Sequence, residues 1–207
     1  MTINEAVKQL KQNKKEKFDA TVELHISMAL DVKKNEQNIR FTVDLPHGTG
    51  KTKKVAVLSG KKVDNADLEL KETDLDNILN GKIKPRVDFD VLVAEPAYMS
   101  KVAKIAKVLG PIGMMPNPKN GTVAEDVQKA VEQIKKGKVE VKNEKDAAVT
   151  HTIIGKASFD DIKLIENYQA VMGALRQNKP AKTDPLWIKS VFITTTMGKS
   201  YKVDEEA

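Results

Sequence analysis

The sequence predicts a two-domain protein of mixed α/β and α+β class. An α+β domain with an antiparallel sheet is assembled from both ends of the chain, and a mainly parallel α/β domain is inserted between them. Two observations carry this. Apolar and polar residues alternate at both ends, whereas the middle has continuous apolar runs interleaved with helical stretches. Alternation marks a strand with one wet face, and a continuous run suits a strand covered on both faces, as in a parallel sheet. A third observation is the composition: 207 residues, 40% hydrophobic and 31% charged, hold enough apolar mass for a sizeable core and argue against disorder throughout.

Taken in order, a first helix carries Lys8, Lys11, Lys14 and Lys15. In Ala20–Leu30 the residues Val22, Leu24, Ile26 and Met28 alternate with Thr21, Glu23, His25 and Ser27, which is a one-sided strand. Gln37–Leu45 repeats the pattern with Ile39, Phe41, Val43 and Leu45, and the short polar link Asp31–Glu36 suggests that the two strands form an antiparallel hairpin. From Lys51 to Asp146 the strands become Val55–Leu58 and Val91–Ala94. They alternate with helical stretches over Tyr98–Leu109 and Val123–Lys136, the latter striped by Val127, Ala130, Val131 and Ile134. After Ala147 the one-sided style returns in Val149–Ile154, a helix over Asp160–Asn178 and a final strand Trp187–Thr195. The expected domains are therefore 1–50 with 147–207, and 51–146. The crossings fall at Pro46–Gly50 and Asn143–Ala147, with Pro46, Gly48 and Gly50 as hinge candidates.

Lys+Arg 35 against Asp+Glu 29 gives a net charge of +6, which suggests a polyanionic partner such as nucleic acid. The surplus is spread over both segments, so binding has to rest on local arrangement. Cysteine is absent, which removes disulfides, thiolate metal sites and cysteine nucleophiles. No apolar run of signal-peptide or membrane-spanning type occurs, so a soluble, cytoplasmic protein with no membrane partner is expected.

Gly48-Thr49-Gly50-Lys51-Thr52 ends like a phosphate-binding loop, but Leu45 stands where that loop needs its first glycine, and a strand rather than a helix follows. No G-x-G-x-x-G follows any strand of the inserted domain, so a dinucleotide cofactor is not expected. His25, His47 and His151 lie far apart without a second ligand at helical spacing, so no metal site is expected. Gly110 to Gly121 holds three prolines and three glycines, an irregular loop suited to an exposed contact surface. Thr194-Thr195-Thr196-Met197-Gly198 offers hydroxyls for phosphate and 2′-OH groups, a glycine for close approach and a thioether for packing on a sugar or base. Lys17-Phe18 pairs a cation for phosphate with an aromatic ring.

Six ordered blocks then carry a resemblance: Lys17 to Glu23, Leu45 to Lys51, Leu109 to Lys119, Gly121 to Val123, Gly155 to Phe159 and Ser190 to Gly198. Over nearly its whole length the chain resembles the ribosomal protein L-one family, the first-numbered protein of the large ribosomal subunit. The resemblance implies a non-enzymatic protein without cofactor or metal and with no homo-oligomer. Its split domain would bind large-subunit rRNA, and its inserted, Rossmann-like domain would belong to the mobile stalk at the tRNA exit site and assist release of deacylated tRNA. It further implies repression of the protein's own operon through its mRNA leader. Carried onto matching positions, the RNA-contacting set is Lys17, Phe18, Thr21, Ser190, Thr196, Met197 and Gly198, with Lys156 and Ser158 as neighbours. Three departures stand out: Ile112 where the family has Arg, Phe41 where it has Gly, and a missing basic leader. The rival reading from another class is a nucleotide-dependent enzyme built on the inserted domain and Lys51.

Overall fold

In the computed structural model, which describes residues 1–13, 16–60, 62–181 and 183–204, the elements follow in this order. They are α1 (Ile3–Gln12), β1 (Thr21–Met28), β2 (Arg40–Asp44), β3 (Val55–Leu58), β4 (Leu68–Glu69), α2 (Glu72–Leu79) and β5 (Val91–Ala94). Then come the short helices α3 (Met99–Val102) and α4 (Ala106–Leu109), α5 (Val127–Lys136), β6 (Lys138–Lys142), β7 (Val149–Lys156), α6 (Asp161–Gln177), β8 (Ile188–Thr195) and β9 (Tyr201–Val203). By internal packing the chain divides into two units, Met1–Lys51 with Gly137–Ala207, and Thr52–Lys136.

The split unit is built on a four-stranded antiparallel sheet in the order β7-β1-β8-β9. Alternation decides its faces. Val22, Leu24, Ile26 and Met28 of β1 are buried, at 0–2% exposure, together with Ile154 of β7 and Val191 and Ile193 of β8. Against this face pack Ala6, Val7 and Leu10 of α1 and Leu164, Val171 and Leu175 of α6. These residues recur every three to four positions, one stripe of a helix. A capping box starts α1, in which the Glu5 N–H donates to Thr2 Oγ1 and the Thr2 N–H to Glu5 Oε2. With both helices on one side, the alternate residues of the strands are left at the other surface.

The inserted unit has a three-stranded parallel sheet in the order β4-β3-β5. Both of its faces are covered. Ala56, Leu58, Leu92 and Ala94 pack on Leu75 and Ile78 of α2 and on Val102, Ile105 and Leu109. Val55, Val57 and Val93 face the α5 stripe of Val127, Ala130, Val131 and Ile134. Burial on both sides is what the unbroken Val-Ala-Val-Leu and Val-Leu-Val-Ala runs required.

Three expectations change. β1 and β2 do not form a hairpin: β1 lies between β7 and β8, while β2 pairs with β6 in a separate two-stranded sheet, Phe41 opposite Val141. Phe41 is nonetheless a core residue, 8% exposed. Because β6 is held by β2, the second boundary falls at Lys136/Gly137 instead of 146/147. The helical stretch before Leu109 is broken into short pieces, Pro96–Tyr98 and Ala103–Ile105 being 3₁₀ turns around α3. α2, β4, β6 and β9 had no expectation at all; β4 and β9 are only two and three residues long, too short for periodicity to register.

Candidate nucleic-acid interface

Thr21, the first residue of β1, joins three segments. Its hydroxyl accepts from Lys156 Nζ at 2.9 Å, its N–H donates to Thr196 Oγ1 at 3.1 Å, and its carbonyl accepts from the Thr196 N–H at 3.1 Å. Lys156 Nζ also reaches the Asp19 carbonyl at 3.4 Å. The Asp19 carboxylate accepts from the Ser158 N–H at 3.0 Å and from its hydroxyl at 2.9 Å. One end of the sheet thus gathers three hydroxyls, an ammonium and a carboxylate, each already oriented by a neighbour.

The turn after β8 is equally fixed. The Thr194 hydroxyl lies within hydrogen-bonding reach of the Gly198 and Lys199 carbonyls, the buried Thr195 hydroxyl donates to Glu16 Oε1 at 2.8 Å, and the Gly198 N–H donates to the Thr195 carbonyl. A Cβ on Gly198 would lie 2.0 Å from Thr195 Oγ1. The glycine is therefore required from inside, by the packing of Thr195, whatever approaches from outside. Met197 and Phe18, 77% and 52% exposed, stand out beside these polar groups.

Of the expected contact residues, Thr21, Lys156, Ser158, Thr196, Met197 and Gly198 come together at this end, with Lys17 and Phe18 exposed on the segment leading into it. Ser190 does not join them. It lies opposite Ser27 near the start of β8, six residues and about 20 Å away along the strand. Asp19 was missed, and nothing local signalled it, because the serine it holds is 139 residues away. Among the first-helix lysines, Lys11 is bonded to the Phe159 carbonyl and pairs with Asp161; Lys14 and Lys15 lie outside the described residues.

Pro46, Gly48 and Gly50 form a turn that is tied to the split unit. Pro46 takes the second position of a β-turn closed by the Gly48 N–H on the Leu45 carbonyl. The fully buried Asn167 accepts from the His47 N–H and donates to the Gly48 and Ile154 carbonyls. Gly48 and Gly50 have φ of 64° and 73°, and a Cβ on Gly137 would lie 2.4 Å from Gly48 Cα. The two crossings pack glycine against glycine. After Lys51 the chain runs into β3 and offers no helix N-terminus for a phosphate, so the phosphate-loop reading fails on the fold.

His25 and His151, apart in sequence, meet across β1 and β7 with their Nδ1 atoms 2.6 Å apart. Partial burial first, and His151 second, hold the His25 imidazole below its ordinary value, against the opposing pull of Glu23. Among the described residues no three His, Asp or Glu side chains cluster as metal ligands. In the inserted unit, the loop carrying Ile112 packs Ile112, Met114 and Met115 against its core. Arg86 Nη2 donates to the Ile112 carbonyl at 3.1 Å, so a guanidinium stands at the loop despite the missing arginine.

Fold and site together define a class: a two-unit α/β protein whose split half presents a polar, pre-shaped sheet end. Comparison with known proteins narrows it. The model of the Ribosomal protein L1p/L10e family matches residues 10–199. The "Large ribosomal subunit protein uL1" of Macrococcus caseolyticus (strain JCSC5402) is 45% identical over 205 residues, covering 98% of this chain and 88% of that protein. The chain belongs to the ribosomal protein L1 family. It is a structural constituent of the large ribosomal subunit, a component of the cytoplasmic ribosome and not an enzyme, which removes the nucleotide-dependent rival.

Proposed function

We propose that the split unit binds large-subunit rRNA through the end of its sheet. The observation that carries this is the convergence on Thr21 of Lys156 and Thr196, with Asp19 holding Ser158 alongside. Hydroxyls and backbone groups held at fixed positions suit phosphate oxygens and 2′-OH groups, and the 2′-OH is what distinguishes RNA from DNA at a contact. Lys17 and Lys156 supply charge to phosphates, Met197 and Phe18 pack on sugars or bases, and the glycine-tight turn keeps the set in register.

The same surface serves for the protein's own mRNA leader, where a similar RNA shape allows repression of its operon. The inserted unit belongs to the mobile stalk, with the turn of Pro46, Gly48 and Gly50 as the fixed base from which it moves. Because Asn167 anchors that turn, bending is absorbed beyond it, from Lys51 onward. Contact with exiting tRNA falls to the Gly110–Gly121 loop, with Arg86 in the place of the missing loop arginine. The test is titration of the full chain into a folded large-subunit rRNA fragment at fixed salt. Thr196→Val is expected to weaken binding about tenfold or more, whereas Lys104→Ala in the inserted unit leaves it unchanged. Equal losses would overturn the site.

A further inference from the structure

Ser190 lies near the start of β8 and Thr196 just past its end, and a ligand reaching from one to the other passes over what lies between them. On the exposed face that is Phe192 and Thr194. β1 and β8 are the two central strands of the sheet. Directly opposite Phe192 stand His25 on β1 and Lys202 on β9, and His151 lies opposite His25 on β7. Cross-strand partners share a face, so a row crosses the sheet at its middle: two imidazoles, a phenyl ring and an ammonium.

The row is braced. The histidine rings meet edge to face, with centroids 4.8 Å apart at 66°. With a single proton between the two Nδ1 atoms, one ring donates and the other accepts. Glu23 Oε2 is 3.7 Å from His25 Nε2 and favours a proton there, which makes His25 the acceptor and His151 the donor. Aromatic residues are only 4% of the chain. Phe41, Phe89, Tyr168 and Trp187 are buried, whereas Phe192 is partly exposed on a central strand of the sheet.

We propose that Phe192 and His25 form a stacking platform for unpaired bases of the bound RNA, with Lys202 on an adjoining phosphate. This rests on the RNA-binding reading above and extends it across the sheet. Every base has a π-face, so the platform adds affinity with little sequence preference and favours RNA with splayed-out, unpaired bases over fully paired duplex.

The experiment uses the full chain and a folded large-subunit rRNA fragment with 2-aminopurine at an unpaired position. Phe192→Leu keeps apolar bulk but loses the π-face, and it is expected to bind about 5- to 100-fold more weakly. Phe192→Tyr is expected to restore wild-type affinity, and the change in 2-aminopurine fluorescence seen with wild type disappears with Phe192→Leu. His25→Leu lowers affinity in the same sense. If Phe192→Leu and His25→Leu bind as tightly as wild type while Thr196→Val is impaired, the platform is overturned and the RNA reading stands. If wild type does not bind the fragment, both fall.

Discussion

The two units solve the burial of a sheet in different ways. The split unit covers one face of an antiparallel sheet with α1 and α6 and leaves the other at the surface. The inserted unit covers both faces of a parallel sheet. The difference decides where contact chemistry has room: on the strands themselves in the first unit, only on loops such as Gly110–Gly121 in the second. A one-sided sheet is a ready binding surface because its outward side chains are not needed for the core.

The largest expected effect tests that contrast directly. Leu24→Ala is expected to cost about 2–5 kcal/mol, and its neighbour Glu23→Ala no more than about 0.5 kcal/mol. The sole tryptophan, Trp187, is buried in the split unit and reports its urea unfolding. In the inserted unit adjacent residues are both core, so Val57→Ala and Leu58→Ala should each cost more than about 1 kcal/mol, read by amide hydrogen exchange of β3 and β5. A tolerated substitution at either would break the contrast.

Next is Asn167→Ala, which strips the Gly48 turn of its buried anchor and is expected to destabilise the split unit by about 1–3 kcal/mol. Exchange of the His47 N–H should speed up while β3 is unaffected. Gly198→Ala, forced against Thr195, is expected to destabilise by about 1–3 kcal/mol and to lower rRNA affinity as well. Lys17→Ala and Lys156→Ala should each reduce the slope of log affinity against log salt by about 1, whereas Lys104→Ala leaves it unchanged.

The smallest effects separate the units by pH. The His25 value is lowered on folding, so its contribution is present above the ordinary histidine value of about 6.5 and is lost as pH falls through the depressed folded value. His25→Phe should flatten the fall in urea midpoint between about pH 7 and pH 5. In the inserted unit, the Val55 N–H bond foremost, then Lys135, holds the Asp67 carboxylate low against burial. That contribution is present above about 3.9 and is lost only as pH falls through the lower folded value, so Asp67→Asn should matter at neutral pH and fade in acid.

Much of the fold was legible in the residues. The alternation of Val22, Leu24, Ile26 and Met28 fixes which side of β1 is buried, because a strand's period of two depends on no partner. Six of the nine residues carried over from the resemblance, Thr21, Lys156, Ser158, Thr196, Met197 and Gly198, lie together at one end of the sheet, which periodicity alone does not foretell. The hairpin between β1 and β2 was wrong because proximity in sequence favours a pairing without compelling it, and β7 and β8 occupy both edges of β1. Aromatic residues are only 4% of the chain, which by itself argues against a stacking platform. A ring count says nothing of placement, and Phe192 stands directly opposite His25 on the sheet.

By itself the sequence determined what is local: the style of each strand, the stripes of the long helices, the turn at Pro46–Gly50 and the blocks that place the chain in its family. Tertiary structure alone decided which strands are neighbours, that β6 belongs to the split unit, that Thr21 meets Thr196 across 175 residues, and that His25 meets His151. Side-chain periodicity reports only burial, and many strand orders bury the same residues. The choice among them is made by the packing of the whole core.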